Sequence, residues 1–105
     1  MNGIILTKHA EQRASQRGLN VDQINLCLEY GDSIYKTGRV FYFVSKKCLK
    51  KLKKATGAYM DRLDGITIMG KYVGQGKFLI ITVYKNKNSL SEIKRKRKRY
   101  ERYEA

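Results

Sequence analysis

The chain has 105 residues, 42% of them hydrophobic, and sets 23 Lys and Arg against 9 Asp and Glu, a formal net charge of +14. A chain of this length hides roughly two thirds of its unfolded surface on folding, which suffices for one modest core and excludes a large multistep enzyme with a second domain. The apolar content is too high for a disordered polyelectrolyte, so the charge decorates a fold, and its sign points to RNA, DNA or an anionic surface as partner.

The apolar runs argue against a membrane. They are short, Phe78 to Ile81 among them, and fall far short of the roughly 20 residues a spanning helix needs. Ile4, Ile5 and Leu6 are too few for a signal-peptide core, and the cationic Lys8 follows them instead of preceding them. A cytoplasmic chain is the expectation.

Thr7 opens a predicted helix over residues 8–17, with Gly18 placed to end it. Ala10 and Ala14 form a small, smooth stripe on that helix, while His9, Arg13, Gln16 and Arg17 share an adjacent polar one. Asn20 with Gln23 has the form of a capping box for a second helix, whose buried face is Val21, Ile24, Cys27 and Leu28 and which ends near Gly31. Ile34 and Tyr35, a turn at Lys36, Thr37 and Gly38, and the β-branched and aromatic residues 39–44 read as a hairpin.

Ser45 then precedes a short amphipathic helix in which Lys46, Lys47, Lys50, Lys51, Lys53 and Lys54 alternate with Cys48, Leu49 and Leu52 at helical spacing. Glycines punctuate residues 57–76, leaving one strand at residues 66–69 with an extension toward 73, and a second at residues 78–84. The second is the most apolar stretch of the chain and is expected to be central and covered on both faces. Ser89 with Glu92 caps a predicted C-terminal helix that carries Lys94, Arg95, Lys98 and Arg99 on a nearly all-cationic side. Cys27 and Cys48 have no paired metal-ligand spacing and are expected to be buried free thiols. The elements sum to an α+β domain: two N-terminal helices packed on a small antiparallel β-sheet, with a basic C-terminal helix.

Two groups of residues could carry chemistry. His9 shares its stripe with Arg13 and Arg17; imidazole moves protons near neutral pH, and guanidinium groups hold a phosphate and offset charge building on it. A solvated charged stripe is the plainer interpretation of the same spacing. In the last strand, Thr82 and Tyr84 point to one face by simple alternation, which ordinary sheet packing also explains.

Taken together, the opening Thr7-Lys8-His9-Ala10 with Arg13 and Arg17-Gly18, and the closing Ile81-Thr82-Val83-Tyr84, resemble a small bacterial domain family grouped with the RelE-like toxins. These belong to the barnase, EndoU, colicin and RelE fold of ribonucleases. The resemblance covers residues 7–85 and leaves 86–105 as a basic extension of a single domain spanning 1–105. It implies a cleft between the first helix and the sheet and assigns the catalytic roles to His9, Arg13, Arg17, Thr82 and Tyr84. Its implied chemistry is attack of a ribose 2′-hydroxyl on the adjacent phosphate, leaving a 2′,3′-cyclic phosphate, with no metal and no cofactor. A small acidic antitoxin or immunity protein is the implied partner besides RNA.

Arg39 and Lys71 are additional cationic candidates for binding RNA, with Lys46, Lys47, Lys50, Lys51 and Lys54 and the C-terminal Lys94, Arg95, Lys98 and Arg99. Metal-assisted hydrolysis lacks ligands, because carboxylates are few and scattered. The alternatives from other classes are a non-catalytic RNA- or DNA-binding module that stacks bases on exposed tyrosines, and a degenerate domain that binds an acidic protein.

Overall fold

The structure, a computed structural model, describes residues 3–85. The predicted C-terminal helix, with Lys94, Arg95, Lys98 and Arg99, lies outside the described residues. The elements in order are β1 (Gly3–Leu6), α1 (Lys8–Gln16), α2 (Val21–Tyr30), β2 (Asp32–Lys36), β3 (Arg39–Phe43), α3 (Lys46–Thr56), a 3-10 turn (Asp61–Leu63), β4 (Ile66–Gly74) and β5 (Lys77–Lys85).

Local capping sets the helix starts. The Thr7 hydroxyl accepts from the Ala10 amide at 3.1 Å, and Ser45 Oγ accepts from the Cys48 amide at 3.3 Å. At α2 the box is reciprocal: the Gln23 amide donates to Asn20 Oδ1 at 2.8 Å and the Asn20 amide to Gln23 Oε1 at 3.0 Å. Gly18, at φ 68°, takes the left-handed conformation just past α1. Between β2 and β3, Thr37 and Gly38 both have positive φ, which matches the twist of a two-residue hairpin.

The sheet has five strands in the order β1-β5-β4-β3-β2. All neighbours are antiparallel except β1, which runs parallel to β5 with Leu6 beside Ile80. The expected antiparallel sheet is therefore mixed, and the first described element is a strand, not a helix. Residues 3–6 are too few to carry an alternating pattern of their own; they become a strand by pairing with β5 and turning Ile4 and Leu6 onto the core.

All three helices lie on one side of the sheet. Ala10 and Ala14 of α1, Ile24, Cys27 and Leu28 of α2, and Cys48, Leu49 and Leu52 of α3 form one buried cluster with Val40, Tyr42, Ile66, Ile68, Phe78, Ile80 and Val83. Val21, expected on the same buried face, is exposed, because it occupies the first position of α2, ahead of the turns that pack. The two alanines let α1 approach β5 closely. Gly70 serves a similar end within the sheet, because a Cβ there would meet the Leu79 carbonyl and the Phe78 ring packed across it.

One irregularity in β5 decides which side chains leave this core. Gly70 pairs with Ile80 but Met69 pairs with Thr82, so Ile81 is an extra, bulged residue. Plain alternation would put Phe78, Ile80, Thr82 and Tyr84 together. With the bulge, Ile80 and Val83 share the helix-bearing face, while Thr82 and Tyr84 join Phe41, Phe43, Thr67 and Met69 on the other. β5 is interior in the sheet, fully buried on the helix side at Phe78, Ile80 and Val83 and half-buried on its opposite face.

Candidate functional site

On α1 the helical period lines up His9, Arg13, Gln16 and Arg17 along an exposed stripe beside the buried alanines. Arg13 donates to Gln16 Oε1 at 3.3 Å along that stripe. The start of the helix is fixed to the sheet through Thr7: its amide donates to the Ile80 carbonyl at 3.1 Å and its hydroxyl to the Ile81 carbonyl at 3.1 Å. The residue that caps α1 thus also satisfies the carbonyls at the β5 bulge. His9 follows this junction by two residues on one stretch of chain, and Thr82 follows Ile81 by one on the other.

The interface between α1 and β5 is itself packed shut by Ala10 and Ala14. The cleft expected between helix and sheet is therefore filled, and a site shared by His9 and the β5 hydroxyls would have to cross the rim of that interface, past the last residue that β1 pairs. Thr82 and Tyr84 are half-buried on the face away from the helices.

Arg39 and Lys71 belong to this second face as well. Val40 pairs with Gly70, which sets Arg39 beside Lys71, and Lys71 in turn pairs with Leu79. Lys36 pairs with Arg39 across the hairpin, so three cations cross three adjacent strands in one row, next to the row of Phe41, Met69 and Thr82. Like charges placed side by side on a sheet, as Arg39 and Lys71 are, repel, and an anion bound between them relieves that repulsion. Lys36 is almost fully buried and ends β2, where the sequence pattern alone assigns it to the turn. The tight two-residue turn at Thr37 and Gly38 is the signal that identifies its place, since it makes Lys36 and Arg39 the flanking pair.

The other basic candidates lie elsewhere. Lys46, Lys47, Lys50, Lys51 and Lys54 are exposed, together with Lys53, on the outer side of α3, in the helical layer. The cations thus divide between two sides of the sheet: a dense lysine surface over the helices, and the shorter Arg39 and Lys71 row opposite. Among the described residues no three His, Cys, Asp or Glu side chains gather in an arrangement that could hold a metal ion.

Of the two cysteines, both free and buried, Cys27 has its thiol pushed up to about 12, by burial first and by the neighbouring Cys48 second. A thiol in that state is a poor nucleophile. Among the described residues no helix is long and apolar enough to cross a membrane. No protein-family model matches the chain, and neither does any curated protein or solved structure.

Proposed function

We propose that this protein is a metal-independent endoribonuclease of the RelE-like kind, acting in a toxin–antitoxin or related system. The observation that carries the reading is the junction at Thr7, which ties the start of the His9, Arg13 and Arg17 stripe to the bulge that turns Thr82 and Tyr84 out of the core. In this reading His9 carries the proton to or from the ribose 2′-hydroxyl as it attacks the neighbouring phosphate. Arg13 and Arg17 hold that phosphate and offset the charge that builds on its oxygens. The bond to the 5′-oxygen breaks, leaving a 2′,3′-cyclic phosphate and a free 5′-hydroxyl. Tyr84 supplies the second proton-transfer role, and Thr82 orients the substrate.

The lysines of α3 and the Arg39 and Lys71 row hold flanking phosphates, contacts that add affinity without choosing sequence. A cytoplasmic enzyme of this kind endangers its host, and a small acidic protein that covers the rim of α1 is the partner that would restrain it.

Incubation of the purified protein with total RNA in the presence of a metal chelator, followed by end-group analysis, tests the reading. Cyclic phosphate and 5′-hydroxyl ends are expected. His9→Ala lowers cleavage by about 100- to 10,000-fold, the usual worth of a positioned acid or base, and leaves RNA affinity nearly intact. Arg13→Ala impairs both. Intact RNA under all conditions, or undiminished cleavage by the His9 variant, would leave the alternative: a basic binding module, which the exposed lysine face of α3 favours.

A further inference from the structure

Tyr72 stands on the helix-bearing face of the sheet, opposite Phe78 on β5, with more than half of its surface (56%) open to solvent. It is nevertheless held firmly. Its hydroxyl is hydrogen-bonded to that of Tyr42 at 2.7 Å, and its ring lies 5.0 Å from the Phe78 ring at a tilt of 58°. Phe78 is fixed in turn by an edge-on contact with Tyr42 at 5.5 Å and by lying across Gly70, where no side chain intervenes. Two of the three rings are buried and the third is presented outward by them.

An exposed ring fixed in advance loses little conformational freedom when a flat partner is laid against it. With its hydroxyl already engaged inside the protein, what Tyr72 offers solvent is ring surface. Tyr35, 71% exposed on the edge strand β2, faces the same side, because it pairs with the core residue Val40. The two tyrosines stand two strands apart, about 10 Å across the sheet. They share the helical layer with the exposed lysines of α3, so the charge on this side complements a polyanion.

We infer that Tyr72, positioned by Tyr42 and Phe78, is a base-stacking platform for single-stranded RNA, with Tyr35 as a second stacking position. The inference rests on the reading of RNA as the partner and adds the state of that RNA. In a duplex the base faces are stacked on each other and unavailable; in a single strand every base has a free face, which makes such a platform tolerant of sequence.

The test uses a 2′-O-methyl uridine oligonucleotide about ten nucleotides long, which has no free 2′-hydroxyl to react, and an abasic oligonucleotide of the same length, a span one such site can cover. The wild-type protein is expected to bind the base-bearing strand about 10-fold more tightly than the abasic one. Tyr72→Val, which keeps a β-branched residue in the strand, lowers that ratio to what Tyr35 alone supplies, without changing the slope of log affinity against log salt; Tyr72→Phe retains the ratio. In the unmodified protein, irradiation of a bound 5-iodouridine strand is expected to crosslink at Tyr72.

A wild-type protein that binds both strands alike, a Tyr72→Val protein that distinguishes them as well as the wild type does, or crosslinks only at other residues overturns the inference. Base discrimination without any RNA cleavage would sink the ribonuclease reading alone, whereas cleavage without discrimination would sink this one alone.

Discussion

Cys27 illustrates how a single buried group couples the fold to pH. Its thiol is enclosed by the cluster that joins α2 to α3 and the sheet, and burial, with Cys48 nearby, raises it from the ordinary 9.0 to about 12. The unfolded chain releases this proton near pH 9 and the folded chain only near 12. The stability contributed by keeping the thiol neutral is therefore complete below pH 9 and is lost as pH rises toward 12, at about 1 kcal/mol per pH unit. The stability measured by urea unfolding between about pH 9 and 11 is expected to fall more steeply for the wild type than for Cys27→Ala, which starts less stable because of the cavity it leaves. Parallel slopes for the two proteins would show that burial does not shift the thiol, which then titrates alike in the folded and unfolded chains.

At the scale of elements, the join between α1 and β5 concentrates several functions in Thr7. One hydroxyl accepts from the Ala10 amide and donates to the Ile81 carbonyl, so a single oxygen serves both the helix start and the bulge. Thr7→Val keeps the shape and removes both bonds. A loss of about 1–2 kcal/mol is expected, the sum of a lost cap and a lost hydrogen bond, whereas Thr7→Ser retains most of the stability. Amide exchange at Ala10 measures the same event locally and should quicken in the valine variant. Equal unfolding midpoints for the valine variant and the wild type would mean that the alanine packing alone holds α1 in place. In α3 the charges conflict with the helix dipole at one end only: Lys46 and Lys47 oppose it in the first turn, while Lys53 and Lys54 complement it in the last.

For the whole molecule, the net charge of +14 predicts strong, salt-sensitive binding to polyanions, and its distribution predicts which side chains set the slope. Each phosphate contact on a single strand contributes about 0.7 to the slope of log affinity against log salt. Replacing Lys46, Lys50 and Lys54 by Gln should therefore flatten it by about 2, and replacing Arg39 and Lys71 by Gln should flatten it by about 1. Titrations of a single-stranded oligonucleotide at several salt concentrations decide the matter. A slope indifferent to the α3 substitutions would move the RNA off the helical layer and onto the opposite sheet face.

Interactions that act within a few residues were legible in the chain alone. Thr7, the Asn20 and Gln23 box, and Ser45 start their helices through bonds to amides three residues away, and the lysine and leucine spacing of α3 already separates its buried and wet sides. The hairpin at Thr37 and Gly38 is equally local. The candidate residues could be named from their types, but their grouping could not. Arg39, Lys71, Thr82 and Tyr84 share a face only through the pairing of three strands, and Lys36 joins them only through the register of a turn.

Long-range pairing alone made residues 3–6 a strand, because so short a segment becomes one only against a partner, here β5 at the far end of the described chain. It also settled the fate of Thr82 and Tyr84. Side chains in a strand alternate strictly, so one extra residue at Ile81 reverses everything beyond it, and that residue is accommodated by carbonyls bonded to the capping threonine of a helix distant in sequence.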